Sequence, residues 1–63
     1  MCESNAYLRR KEGEDLLLSS VARIDPTDSG YRLTGLFGEE VEVRGRLEEI
    51  NLLGHRIVFS ENE

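Results

Sequence analysis

Hydrophobic and polar residues alternate along most of this 63-residue chain, which predicts short β-strands rather than helices. The clearest pattern covers residues 39–47, where Val41, Val43 and Leu47 fall on one face and charged side chains fall on the other. Such alternation is typical of an antiparallel strand with one buried and one exposed face. The other predicted strands cover residues 2–9, 21–25, 31–36 and 55–60.

Turn signals separate these segments at short intervals. Residues 25–30 form the strongest one, because Pro26 fixes its own φ angle and Gly30 tolerates a positive φ. Residues 14–20 are compatible with either a single helical turn or an irregular strand. About five short strands predict an all-β fold, either a small antiparallel curled sheet or an SH3-like barrel, since closure removes exposed edges.

The length predicts a single domain over residues 1–63 with a small core. A domain of this size buries only about 60% of the surface that its unfolded chain exposes, so its stability is marginal. Small domains usually gain stability from disulfides, metals or self-association. One cysteine excludes an internal disulfide, which leaves a bound ion, a partner subunit or both.

The net charge of −5 disfavours a general role on nucleic acid, where Lys and Arg supply most of the affinity. Two basic clusters are nevertheless present, one at residues 9–11 and one formed by Arg44 and Arg46. Tyr7 and Tyr31 are aromatic residues of the kind that stack on bases. A small β-barrel RNA-binding module is therefore the alternative function, although acidic residues interrupt the second cluster.

Several other functions find no support in the sequence. No stretch reaches the roughly 20 apolar residues that span a bilayer, and no basic-then-apolar segment opens the chain as in a secretory signal. A reducing, cytoplasmic location is expected, and membrane binding is not. Serines and a single histidine show no catalytic spacing, so an enzyme is not predicted. His55 is predicted to be exposed at the start of a strand, and a role as a metal ligand is the less favoured alternative, so it is left out of the predicted site.

Cys2 is the residue with the most specific chemistry. After removal of Met1, its amine and thiol would close a five-membered chelate, which the amides of Glu3 and Ser4 can complete. A nitrogen and sulfur donor set of this kind indicates Ni(II) or Cu(II), and the chain has too few Cys and His residues for a structural zinc site. Alternatively, a two-fold dimer places Cys2 beside its symmetry mate and supplies two thiolates. The residues alone leave both arrangements open.

Several segments together resemble the CooT family. They are Met-Cys-Glu-Ser at residues 1–4, Ala-Tyr-Leu at 6–8, Leu-Phe-Gly-Glu at 36–39, Val-Arg-Gly-Arg-Leu at 43–47, and the hydrophobic last strand. The resemblance covers nearly the whole chain, and the length agrees. CooT-like proteins are small, largely β, homodimeric nickel-binding proteins linked to maturation of nickel-containing carbon monoxide dehydrogenase.

The resemblance implies a specific function for this chain. The second-position cysteine of the family binds nickel, and that role transfers to Cys2. We therefore expect a homodimeric metallochaperone-like protein that binds Ni(II) through Cys2 at the dimer interface. Nickel delivery, storage or sensing would be its role, with carbon monoxide dehydrogenase or its maturation proteins as partners.

Overall fold

The computed structural model describes residues 3–61, and within them the chain is all-β. Cys2, the predicted nickel ligand, lies outside the described residues. The described part holds six strands: β1 (Ser4–Arg10), β2 (Gly13–Pro26), β3 (Tyr31–Gly35), β4 (Glu40–Val43), β5 (Gly45–Asn51) and β6 (Arg56–Glu61). No helix in this part is long and apolar enough to cross a membrane. The predicted fold class is confirmed.

The strands form one sheet in the order β4-β3-β2-β1-β6-β5. Four of the five neighbouring pairs are antiparallel, as alternation predicted, but β1 and β6 are parallel, with Ala6 opposite Ile57. The expectation of a wholly antiparallel sheet is therefore wrong at this pair. The β5–β6 hairpin docks on β1 through β6, and that choice of partner strand is not encoded in local alternation.

The longest strand, β2, covers the segment whose structure the sequence left open. It spans 14 residues, and its first half pairs with β1 while its second half pairs with β3. Between the two halves, Ser20 has a φ of 56°, and the register of pairing shifts on both sides of it. Bulges of this kind bend a strand and increase its twist. The irregular-strand interpretation is therefore correct, and β2 is the strand at which the curled sheet bends.

The predicted strand over residues 39–47 is divided in two. β4 ends at Val43 and β5 begins at Gly45, so Arg44 alone connects them. Val43 pairs with Tyr31 on β3, whereas Gly45 pairs with Glu61 on β6. The chain thus passes from one edge of the sheet to the other across one residue. This division raises the strand count from the expected five to six in the described part.

The core lies inside the curl of the sheet. Its buried side chains come from every strand except β5: Ala6, Leu8, Leu18, Leu33, Val43, Ile57 and Phe59. Val43 and Phe59 lie on strands far apart in the sheet order, so their shared core requires the sheet to fold over on itself. The Tyr31 ring lies 5.3 Å from the Phe59 ring and joins the two halves. β4 and β5 are the two edges of this open sheet.

Candidate functional site at the start of the first strand

The predicted ligand Cys2 directly precedes Glu3, the first described residue, so the start of β1 is the relevant part of the fold. Here β1 lies between β2 and β6, with Ser4 opposite Val21 and Asn5 opposite Arg56. Because β6 is parallel to β1, the turn before β6 lies at this end of the sheet. The β3–β4 turn reaches the same end through its contact with β2, described below.

Asn5 connects β1 to two residues with unusual backbone conformations. Its N–H donates to the carbonyl of His55 at 2.9 Å, and its Oδ1 accepts from the N–H of Ser20 at 3.2 Å. Ser20 and His55 both have a φ of 56°, which is uncommon for residues other than glycine. The fold therefore holds two strained residues, one on each side of β1. Ser gives no sign of this conformation in the sequence, and His is only moderately enriched in it.

Glu3 and the 36–39 turn both bond to Ser20. The Ser20 hydroxyl donates to Glu3 Oε1 at 3.3 Å, and the Ser20 carbonyl accepts from the N–H of Leu36 at 2.9 Å. The turn itself is closed by Glu39, whose carbonyl accepts from the N–H of Gly35 at 2.7 Å. This turn of the Leu-Phe-Gly-Glu segment is thereby fixed next to the beginning of the chain.

Both turns that flank the start of β1 carry exposed apolar side chains. Phe37 is 84% exposed and Leu53 is 96% exposed, and their neighbours Leu36 and Leu52 are also more than half exposed. We call this region, made of residues 3–5, Ser20, the 36–39 turn and the 51–55 turn, the N-terminal rim. Exposed apolar residues that form a contiguous patch mark an interaction surface, so these two turns are the candidates for one at this end of the sheet.

His55 lies on this rim but is not the exposed residue that the sequence predicted. It is half-buried, and its Nδ1 atom is buried without a hydrogen-bond partner among residues 3–61. The same range contains no group of three His, Cys, Asp or Glu side chains placed to hold a metal ion.

The basic clusters of the alternative function are partly brought together. Residues 9–11 and Arg46 line one cleft at the other end of β1, and Arg44 is not part of its lining. The two tyrosines are engaged within the chain, since the Arg56 guanidinium lies 4.8 Å above the Tyr7 ring and Tyr31 packs on Phe59. The described residues thus form a basic cleft without the predicted aromatic stacking platform.

The family follows from comparison of the whole sequence. The sequence model for the CO dehydrogenase accessory protein CooT matches residues 1–60 of this chain. The chain belongs to the CooT family. An uncharacterized protein of Methanothermobacter thermautotrophicus is 42% identical over 63 residues, which is all of this CooT chain and 94% of that protein.

A solved structure supports the fold of this CooT protein. The crystal structure of a protein assigned as CooT from Carboxydothermus hydrogenoformans superposes with a TM-score of 0.90 at 27% identity. The match covers 98% of this chain and all of that one. The resemblance stated from the sequence is thereby confirmed, and the family is one of accessory proteins for CO dehydrogenase.

Proposed function

We propose that this CooT protein is a nickel-binding accessory protein that holds Ni(II) between the Cys2 thiolates of two subunits. It would deliver, store or sense nickel in the cytoplasm, with carbon monoxide dehydrogenase or its maturation proteins as partners. The main support for the proposal is the pair of exposed apolar turns on either side of the start of β1, the strand that follows Cys2 in the sequence.

The exposed turns support self-association through the rim. Phe37 and Leu53 lie on separate turns whose backbone bonds to β2 and β1 place both turns at the same end of the sheet. A two-fold dimer juxtaposes the same surface of both subunits, and burying these side chains would supplement the small core. In such a dimer Glu3 of each subunit would lie at the shared interface, which suits a metal site with one donor residue from each chain.

The donor chemistry supports a shared thiolate site. Residues 3–61 lack a group of three metal-binding side chains, so a site at the rim depends on donors that the described part of one chain does not supply. Thiolate sulfur, together with backbone nitrogen, suits Ni(II) rather than Mg(II) or Ca(II). A reducing location would keep Cys2 as a thiol available for the metal.

The test is a nickel titration of the wild-type protein and of Cys2→Ser, after mass spectrometry has established whether Met1 is present. Thiolate-to-nickel charge-transfer bands should appear in the wild type and be absent from Cys2→Ser. Saturation near one ion per two chains, with a dimer by size-exclusion chromatography, is expected for the shared site. Equal bands in both proteins would refute the role of Cys2.

His55→Asn is the matched control for a nonspecific effect at the rim. Asn tolerates a positive φ better than most residues, so the backbone should be retained, while the imidazole is removed. The nickel bands should persist in this variant. Loss of the bands would show that the site includes His55, and saturation at one ion per monomeric chain would favour a chelate at a single N-terminus instead.

A further inference from the structure

The basic cleft lies at the end of β1 opposite the N-terminal rim. The parallel strands β1 and β6 both end there, with Arg9 opposite Ser60, and β5 begins there, with Arg46 opposite the same Ser60. Directly opposed residues point to one face of a sheet, so these three side chains form a row across three strands. Arg10 and Lys11 complete a cleft of about 530 Å³.

The lining of the cleft is positive although the chain as a whole is negative. It contains four cationic side chains against two carboxylates, those of Glu48 and Glu61. Arg9 also pairs with Glu14 and Glu49, and Arg10 with Asp15, so Lys11 and Arg46 are the lining cations without an ion pair in residues 3–61. Glu48 is already compensated, because its Oε1 accepts from Arg9 Nη1 at 2.9 Å. The volume falls within the range of small-molecule sites, but a lining this charged suits an anion rather than an apolar ligand.

The remaining cations present donors that the described part of the chain does not use. Arg46 donates from Nε to the Ser60 hydroxyl at 3.4 Å, so its two terminal nitrogens have no hydrogen bond to residues 3–61. Lys11 forms no ion pair within that range, and Arg10 contacts Asp15 only through Nε at 3.5 Å. A guanidinium held by its Nε presents a planar fork that matches two oxygens of a phosphate.

We propose that the basic cleft binds the phosphate group of a small molecule, a phosphate monoester or a diphosphate. Arg46 would hold two phosphate oxygens, Lys11 and Arg10 would add charge, and the Ser60 hydroxyl can donate to a further oxygen. A dianionic phosphate matches Lys11 and Arg46, the two lining cations that form no ion pair within residues 3–61. A long polynucleotide is disfavoured, because the net charge of −5 repels it and Tyr7 and Tyr31 pack within the chain.

The test is a titration of isotope-labelled protein without nickel, followed by amide chemical shifts at constant ionic strength. Inorganic phosphate, diphosphate and a short single-stranded RNA serve as separate probes, and chloride serves as the reference salt. Phosphate or diphosphate should give saturable shifts centred on Lys11, Arg46 and Ser60. Arg46→Gln and Lys11→Gln should each weaken binding about tenfold, as expected for loss of a charge-assisted contact.

Arg44→Gln is the matched control, because Arg44 is exposed in the adjacent connection but does not line the cleft. It should bind phosphate like the wild type. Unsaturable or scattered shifts, or equal weakening by Arg44→Gln and Arg46→Gln, would overturn the proposal in favour of general charge attraction. Binding of RNA without binding of phosphate or diphosphate would overturn it in favour of a polynucleotide site. Cys2→Ser should leave the result unchanged, so the nickel proposal is tested separately.

Discussion

Glu14 Oε1 and Arg56 Nη2 lie 2.7 Å apart, although the two residues are 42 positions apart in the chain. The pair reaches across β1 on the outer face of the sheet, where the Arg56 guanidinium also covers the ring of Tyr7. The other carboxylate oxygen of Glu14 accepts from Arg9 at 2.9 Å. One carboxylate therefore joins β2 to both β1 and β6.

This network predicts a pH-dependent contribution to stability. The hydrogen bond from Arg56, and next that from Arg9, lowers the pKa of Glu14 below its ordinary value of about 4.5. Because the pKa is lower in the folded state, the stabilisation is complete above the ordinary pKa, which is that of the unfolded chain. It is lost as the pH falls through the lower, folded-state pKa. Glu14→Gln should lower the thermal midpoint at neutral pH and have little effect in strong acid.

Thermal unfolding monitored by circular dichroism at about pH 7 and in strong acid, at about pH 1, checks this expectation. Glu12→Gln is the control, since it makes the same change of charge at an exposed residue that forms no ion pair within residues 3–61. It should leave the midpoint nearly unchanged at both values. An equal decrease for Glu14→Gln at neutral and acidic pH would contradict the role assigned to the carboxylate charge.

The core supplies a second prediction. Leu33 is fully buried on β3, and truncation to Ala should leave a cavity that costs about 2–5 kcal/mol. Small domains have a total stability of about 5–15 kcal/mol, so the loss is a large fraction of it. Urea denaturation should show this directly. Leu16→Ala, at a residue 58% exposed on the outer face, should cost less than about 1 kcal/mol; equal losses would contradict the described core.

Local alternation was sufficient to predict where most strands lie, because side chains on successive strand residues face opposite sides of a sheet. It carries no information on which strands pair, so the parallel neighbours β1 and β6 were not foreseen. The break at Arg44 was missed for a related reason. Val43 and Gly45 fit one alternating pattern, and only their different partners, Tyr31 and Glu61, separate them into two strands.

The candidate sites were likewise predictable from the sequence only where residue type and position alone determine the chemistry. The chemistry of Cys2 is readable from its type and position, and it remains a prediction because the residue lies outside the described range. The left-handed backbone of Ser20 has no signal in residue type, and that of His55 only a weak one, unlike that of Gly38, with a φ of 92°. The basic cleft joins Lys11 to Arg46, which lie far apart in the sequence and meet only through the order of β1, β6 and β5.

A third prediction concerns the turn between β2 and β3. Gly30 lies against the backbone at the end of β4, where an added Cβ would overlap the carbonyl oxygen of Val43. Since that neighbour is backbone, Gly30→Ala must displace β4 from the turn, at a cost of about 1–3 kcal/mol. Gly54→Ala is the control, because its nearest atoms belong to Asn51 at an ordinary 3.4 Å. Chemical denaturation should separate the two; a harmless Gly30→Ala would contradict this packing.

The last prediction tests the rim as the surface of self-association, independently of nickel. Phe37 and Leu53 are the two most exposed large apolar side chains of residues 3–61. Replacing either with Asp places a charge at the proposed interface and should weaken the dimer about tenfold or more, as for other buried interface anchors. Sedimentation equilibrium should then show monomers at concentrations where the wild type is expected to form the proposed dimer, while circular dichroism shows an intact fold.

Leu16→Asp distinguishes a specific interface from a general effect of added charge. Leu16 is apolar and exposed like the rim residues, but it lies on the outer face opposite Tyr7. This variant should stay dimeric, because the proposed interface does not include it. If Leu16→Asp dissociates and Phe37→Asp does not, self-association uses the outer face. Two Cys2 residues would then not meet across the rim, and nickel binding would have to rest on the donors of a single N-terminus.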